Sequence, residues 1–570
     1  MGSDRDKLLL GGRPWLGVNF WSRAGGPGMW RSYDPEVVRA ELATLAAHGM
    51  NLTRSFCFWP DFHPEPERLD EDVLARFADF LDAHDEAGMG TVPTFIVGHM
   101  SGENWDPAWR QGRDLYGDVW MVARQAWFVR QLTRRFAGHP AVAGWLLSNE
   151  MPLYGGPASE PAVTAWAELL VQAVRAGGGT QPVSLGDGAW GIETSGVDNG
   201  FSLRATAPLV DFVGPHVYPM DSDRVRLHLA PAFACELAGV AGRPVVLEEF
   251  GVSSGFSSAE QAGHHYRQVL HTSLLAGASG WLAWNNTDLD HLADQDPYRH
   301  HPFELHFGLT DHTGAPKPQL AEVRAFAELL EEVDFPNLSR PPAEAALVVA
   351  SYLEHPYPFT EPADRTFVLD SLRQAYVAAW EADVAVRPMR ERDGLEPGRR
   401  LYLVPSAKQL TAPGWRARSA SPATAPSSTS PGAPAATASS AAPGTPAWTA
   451  CSPSSTSSPT DSSTPSRMRR WSSLSCAISG RSPKAADWSC APAATSMSAR
   501  SCSSGRSPPR SSPSTSGAGR CCWNAPPAAA GRCCAPTRWS RSRRPRPGSI
   551  PSRPGGSTTR WPPWPASAVR

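Results

Sequence analysis

Eight short apolar runs, nearly all followed by an amphipathic stretch, recur through the first 335 residues. No other feature constrains the fold as much. The runs are WLGVNFW (15–21), NLTRSFCFW (51–59), GTVPTFIVG (90–98), VAGWLLSNE (142–150), PVSLGDG (182–188), VDFVGPHVY (210–218), PVVLEEFG (244–251) and GWLAWNN (280–286). Short, nearly continuous apolar runs are the mark of strands buried on both faces of a parallel sheet. Between them lie helix-like segments. PEVVRAELATLAAHG (35–49) opens on Asp34-Pro35 and stops at a glycine, the expected polarity of start and stop signals. DEDVLARFADFLDAHDEAG (70–88) repeats the arrangement, with Val73, Leu74, Phe77, Phe80 and Leu81 on one face. Further helices are predicted at 118–137, 159–176, 223–238, 258–277 and 316–332, while the connection 189–209 is short and irregular. Eight such units predict a (β/α)8 barrel over residues 13–335. A doubly wound open sheet is the rival. No G-x-G-x-x-G follows the first strand, which removes the commonest nucleotide-binding form of that rival.

Composition divides the rest of the chain. The formal net charge is −2, which by itself predicts no polyanion binding. Up to Trp415 there are 33 Lys and Arg against 53 Asp and Glu; from Arg416 onward there are 20 against 2. Residues 416–570 hold one Leu, one Val and no Phe, Tyr or Glu. Such a segment buries too little apolar surface to offset its ordering entropy, so a disordered tail is predicted. Its seven Trp and eight Cys are foreign to ordinary linkers and fit the out-of-frame translation of a GC-rich coding sequence. That reading fails if neither other frame after codon 415 restores an α/β pattern. Cys521-Cys522 and Cys533-Cys534 are adjacent pairs, not C-x-x-C knuckles, and RWSRSRRPRPGS (538–549) imitates a nucleic-acid segment; neither is assigned a function. Residues 1–12 read as a leader. Its longest apolar run, three residues, is too short for a secretory signal, and no run spans a bilayer, so a cytoplasmic enzyme is expected. With only Cys57 and Cys235 before residue 416, the front part is no disulfide scaffold.

In a (β/α)8 barrel the reacting groups stand at the C-terminal ends of the strands. Those ends carry Arg54, His99, Asn149-Glu150, His216 and Tyr218, Glu248-Glu249, and Trp284. Two carboxylates on one rim, three units apart, suit glycoside cleavage: one protonates the leaving oxygen, the other attacks the anomeric carbon or activates water. Arg54 and Tyr218 are placed to keep one of them ionised. Fifteen Trp in the front part suit sugar rings, whose apolar faces stack on indole.

This ordered set resembles glycoside hydrolase family 5, within the clan of retaining barrel glycosidases. The family's eight marker residues have counterparts in Arg54, His99, Asn149, Glu150, His216, Tyr218, Glu249 and Trp284. The resemblance implies Glu150 as acid/base, Glu249 as nucleophile, Asn149 on the sugar 2-hydroxyl and Trp284 as the floor of the −1 subsite. His216 and Tyr218 would support the acid/base and the nucleophile respectively. Glu248 is the alternative to Glu249, because side chains alternate along a strand and the two are not expected to enter the site together. The family's Gly-Glu-aromatic-Gly form matches Glu249. The segment 343–415 resembles the start of the flavodoxin-like domain that follows the barrel in some β-galactosidases and β-mannosidases. It is cut short, so no oligomeric state is assigned.

Bland readings stand beside these. Glu150 reads alternatively as a rim ion pair, His216 as an interior histidine, and Arg54 and His99 as braces of the barrel mouth. Trp21, Trp30, Trp59, Trp105, Trp109, Trp190 and Trp281 are candidate sugar platforms, led by Trp105, though most single tryptophans fill cores. The loop with His291, His300, His301, His306 and His312 matches no compact ligand motif, and no metal or organic cofactor is expected. The LEEFG form resembles the β-mannan-active branches of the family more than typical cellulases, and the lack of a signal peptide favours short imported oligosaccharides, so β-mannosidase-type action on short β-1,4-linked mannosides is expected. Endo-acting β-mannanase or β-1,4-glucanase activity is the second reading. A non-catalytic carbohydrate-binding barrel, or an inactive frameshifted product, is the rival from another class. The partner expected is a β-linked oligosaccharide, with no specific nucleic acid and no membrane.

Overall fold

The computed structural model describes residues 4–218, 223–355, 357, 361–405 and 411. The segment 416–570, with its cysteine pairs and Arg-Ser run, lies outside the described residues, as does most of 406–415. Eight parallel strands form the barrel: β1 (Arg13–Asn19), β2 (Leu52–Phe58), β3 (Gly90–Val97), β4 (Trp145–Ser148), β5 (Val183–Ser184), β6 (His216–Val217), β7 (Val245–Phe250) and β8 (Ala278–Ala283). Each pairs with the next except β5 with β6, and β8 returns to β1. Between the short β5 and β6 the join is slighter, through the His216 N–H donating to Gly188 O at 3.1 Å.

The helices start where the sequence signals them. Asp34 accepts from the backbone N–H of Glu36 and Val37 at the head of α1 (Pro35–Ala47), and Asp70 caps α2 (Glu71–Glu86) in the same way. Such caps are worth about 1 kcal/mol each. Asp118 and Ser258 cap two further helices, α3 (Val119–Phe136) and α4 (Ala259–Leu275).

The barrel floor is filled by Trp15, Leu52, Val92, Leu146, Val246 and Leu282, packed with Phe212 and Leu8. It is a layer of inward side chains from several strands, not a pore. The expected leader is therefore part of the fold. Leu9–Leu10 pairs antiparallel with Arg13–Pro14, and Leu8 is fully buried beneath the floor. Gly17 is required in β1, since a Cβ there would lie 1.9 Å from Leu52 O.

After the barrel come β9 (Ala345–Val349), α5 (Pro362–Glu381), β10 (Val386–Arg390) and β11 (Leu401–Leu403), in a parallel sheet ordered β10-β9-β11. Flavodoxin-like sheets begin with this 2-1-3 order. The sequence pattern missed β10, whose Arg387, Pro388 and Arg390 interrupt any apolar run. It is an edge strand, where proline is tolerated. The segment packs directly on the barrel. Phe233 meets Tyr376 at 5.4 Å, and Arg204 reaches Asp393 at 2.8 Å.

Candidate active site

The eight marker residues converge on the C-terminal mouth. Arg54, fully buried within β2, holds the centre. One nitrogen donates to Glu249 and to Asn19 Oδ1 (3.1 Å), the other to Asn149 Oδ1 (2.7 Å), and Nε to Thr94 Oγ1 (3.1 Å). Asn149 in turn donates to His99 O at 2.9 Å, which leaves its second amide hydrogen free. Tyr218 donates its hydroxyl to Glu249 Oε2 at 2.7 Å. Glu249 is thus the focus of two donors, one of them permanently charged.

Glu150 has different company. It follows β4 with φ +47° and ψ +48°, a left-handed conformation that costs a non-glycine residue roughly 1–3 kcal/mol. That turn aims its carboxylate at two histidines: His216 Nδ1 lies 2.9 Å from Oε1, and His99 Nε2 3.6 Å from Oε2. His99 is oriented by Asn104 Oδ1, 2.5 Å from its Nδ1. One donor atom each of Glu150, His216 and Glu249 lie within 4.8 Å of one another, so the two carboxylates face each other across a gap of one small group. The trio has spacing that a cation could use. The positive charge such a site requires is already supplied by Arg54 and His216.

Electrostatics link the three. Burial works against a charged His216, but Glu249, Glu150 and Glu248 outweigh it and push its pKa up to about 10. Burial likewise raises Glu150, yet the hydrogen bond and charge of His216 draw it below its ordinary value. Burial and the charge of Glu150 push Glu249 up, opposed by His216, Arg54 and Tyr218. The Glu150–His216 pair therefore holds one proton.

Glu248 departs from the sequence reading. The register of β7 against β8 shifts between Leu247 and Phe250, and both glutamates reach His216. Glu249 Oε1 lies 3.4 Å from Nδ1, on the cleft side, and Glu248 Oε2 lies 3.0 Å from Nε2, beneath the ring. Strict alternation does not apply across the irregularity.

The aromatic candidates separate. Trp21, Trp30, Trp59 and Trp281 are fully buried and belong to the core, so they are not sugar platforms. Trp105 stays partly exposed, edge-on to Phe58 at 5.6 Å, and Trp109 and Trp190 are also partly exposed. Trp190 donates to His216 O at 3.1 Å. Trp284 presents its indole at the mouth and donates to Glu304 Oε2 at 3.3 Å. In the long loop His306 and His312 share Asp290 at 2.9 and 3.4 Å, and His300 meets Glu103 at 3.0 Å. The buried Cys57 thiol is pushed up by desolvation.

Glu304 was not foreseen. Its half-buried side chain accepts from Trp284 and from Ser101 Oγ (3.2 Å), and its carboxyl is pushed up to about 7 by burial and by the charges of Glu150 and Glu249. It joins the loop after β8 to the hairpin after β3. The same two loops meet again at His300–Glu103 and where the His301 ring packs on Gly102. Strands β3 and β8 are not neighbours, so this bridge arches over the ends of β1 and β2 and walls one side of the mouth. The loop itself is pinned by the buried Leu289, Leu292, Tyr298 and Leu305. Only the lack of periodicity over 286–316 hinted at an elaborated loop.

A pair of carboxylates facing each other at the top of a (β/α)8 barrel is the arrangement that glycoside cleavage needs. Residues 22–289 match the sequence model of the cellulase family, glycosyl hydrolase family 5. A probable mannan endo-1,4-β-mannosidase A of Aspergillus flavus is 25% identical over 186 residues, 30% of this chain and 45% of that protein. The chain spans less than half the length of the curated relatives it matches. The exo-β-1,4-mannosidase of the Opitutaceae bacterium strain TAV5 superposes with a TM-score of 0.60 at 26% identity, over 67% of this chain and 70% of that one. A GH5_18 protein of Streptomyces cattleya, solved with Manβ1-4GlcNAc, has a TM-score of 0.59 at 22% identity, over 66% and 94%. Residues 22–289 thus resemble glycosyl hydrolase family 5, and the barrel is similar to those of β-mannosidases and mannanases. No described helix is long and apolar enough to cross a membrane.

Proposed function

We propose that the barrel is a retaining, exo-acting β-mannosidase that removes single sugars from short β-1,4-linked mannosides. The observation that carries the mechanism is the approach of Glu150 and Glu249, with carboxylate oxygens within 4.8 Å. Inverting enzymes separate their carboxyls by about 6.5–9.5 Å to admit a water, whereas retaining ones hold them about 5–5.5 Å apart. Arg54 and Tyr218 both donate into Glu249 and oppose the upward push of burial on it, which supports it as the nucleophile. Glu150, sharing a proton with His216, is the acid. In the first step a Glu249 oxygen bonds to the anomeric carbon while the glycosidic bond breaks and Glu150 delivers its proton to the departing oxygen. In the second, Glu150 takes a proton from water, whose oxygen displaces Glu249. Trp284 floors the −1 sugar, the free amide hydrogen of Asn149 meets its 2-hydroxyl, and Trp105 offers an outer face.

The wall made by Ser101 and Glu304 supports exo over endo action, because a cleft closed beyond the −1 sugar admits only a chain end. Endo cleavage, as named for the Aspergillus relative, is the second reading. Two assays test the proposal. Aryl β-mannoside is expected to be hydrolysed well ahead of aryl β-glucoside, and mannotetraose to yield mannose and mannotriose at early times. Early release of mannobiose alone would establish endo action, and equal turnover of both aryl glycosides would remove the mannoside assignment.

A further inference from the structure

Beneath the catalytic pair lies a carboxylate that the reaction as described does not use. Glu248 is fully buried. Its Oε2 meets His216 Nε2 at 3.0 Å, and its Oε1 has no hydrogen-bond partner among the described residues. Room for it is made by glycine: a Cβ on Gly214 would lie 2.2 Å from Oε1. A second buried carboxyl, Asp187 on the loop after β5, stands near it with its Oδ2 also unpartnered. A half-satisfied buried carboxylate is costly to keep, so its place behind the histidine that hydrogen-bonds Glu150 calls for a reason.

We propose that Glu248 is a positioning residue that dictates which protonation states the Glu150–His216 pair can occupy, and so keeps a proton available for the leaving group. The inference rests on the acid/base reading of Glu150. Both ring nitrogens of His216 face a carboxylate, Nδ1 toward Glu150 Oε1 at 2.9 Å and Nε2 toward Glu248 Oε2 at 3.0 Å. An imidazole with a bare Nε2 would set a lone pair against the Glu248 charge. Only two states satisfy both contacts. In one, imidazolium donates to both carboxylates. In the other, neutral imidazole donates from Nε2 to Glu248 and accepts at Nδ1 from protonated Glu150. The two differ by one proton moved along the Nδ1–Oε1 hydrogen bond, and each supplies an acid. The unproductive state, neutral imidazole donating from Nδ1 to an ionised Glu150, is the one Glu248 excludes.

The other groups around the ring fit this inventory. Glu249 Oε1 stands 3.4 Å from Nδ1 and adds negative charge. His99 and Arg54 act on Glu150 from the far side. Trp190 binds only the backbone carbonyl of His216. Burial, then the charge of Glu248, raises Asp187 to about 6.

The test is Glu248→Gln. A glutamine amide either accepts from or donates to Nε2, so it admits the unproductive state. The basic limb of the kcat/KM profile is expected to move to lower pH by about one unit or more. At pH 7, kcat on mannobiose, which needs a proton on its leaving oxygen, should fall about 10²-fold, within the usual range for general-acid assistance. On 2,4-dinitrophenyl β-mannoside, whose leaving group needs none, it should fall less than about tenfold. Equal losses on both substrates with an unmoved basic limb would overturn the proposal. A measurement on the unaltered chain needs no variant to fold: with 15N-labelled histidine, the signals of His216 are expected to remain those of an imidazolium above pH 8. A neutral ring with Nδ1 protonated at pH 7 would overturn it as well. If the unaltered protein turned over neither mannoside, the acid/base reading would fail, while the nitrogen spectrum would still decide the state of His216.

Discussion

The two ends of the same barrel are built on opposite principles. At the floor, β1, β2, β3, β4, β7 and β8 contribute Trp15, Leu52, Val92, Leu146, Val246 and Leu282, which need only shape and apolar surface. At the mouth, the same strands or the residues just after them present Asn19, Arg54, Thr94, Glu150, Glu248, Glu249 and Trp284, where nearly every atom has an assigned partner. Packing at one end holds charges at the other in positions they would not choose for themselves. The floor stabilises and tolerates variation in kind; the mouth spends that stability on buried ions and a left-handed Glu150.

The largest effect expected at the mouth is on catalysis alone. Glu249→Gln should lower kcat/KM by more than about 10³-fold, with a smaller loss of thermal stability than truncation would bring, because Gln keeps the shape and one acceptor for Arg54. Azide then distinguishes the two carboxylates. With Glu249 replaced by Ala, azide attacks from the vacated face and gives an α-mannosyl azide. With Glu150 replaced by Ala, azide intercepts the glycosyl-enzyme and gives the β-anomer. Reversed anomers would exchange the two roles.

Next comes the ion that ties the mouth together. Arg54→Met removes the charge facing Glu249 and leaves a buried carboxylate uncompensated, which is expected to destabilise by about 3–5 kcal/mol. Combining it with Glu249→Gln should restore part of that loss, since the pair is in contact and the changes will not add. Strict additivity in denaturant titrations would mean that the two groups do not interact. At the floor, Leu146→Ala should also cost about 2–5 kcal/mol, but with no such rescue. Its folded fraction should keep full kcat, so a drop in kcat there would erase the contrast between the ends.

The same contrast explains what the sequence made legible. Strand ends in chain order carry Arg54, His99, Asn149, Glu150, His216, Tyr218 and Glu249, and the barrel topology forces them together; the order alone therefore announces a site. Loops carry no such rule. Glu304 and Ser101 meet through the burial of Leu289, Leu292, Tyr298 and Leu305, a tertiary event with no periodic trace. Glu248 was read as an either-or partner of Glu249 because alternation is a rule for regular strands, and the register shift after Leu247 is invisible in LEEFG. Trp21, Trp30, Trp59 and Trp281 looked like platforms because composition counts tryptophans without saying which way they face.

The smallest effect expected belongs to Glu304, and its sign is definite. Its pKa in the folded chain, raised to about 7 by burial and by the charges of Glu150 and Glu249, exceeds the ordinary value near 4.5 that it regains on unfolding. The folded state thus binds this proton more tightly. The contribution is fully present below pH 4.5, is lost as pH rises from 4.5 to 7, and stays lost above. Glu304→Gln fixes the neutral form and keeps an acceptor for Trp284 and Ser101. Thermal midpoints of the variant should therefore fall less steeply than those of the unaltered chain between pH 4.5 and 7, and lie above them at pH 8. Parallel curves across that window would show that Glu304 is ionised in the cleft at neutral pH. The wall beside the −1 sugar would then be a third negative charge instead of a neutral acid.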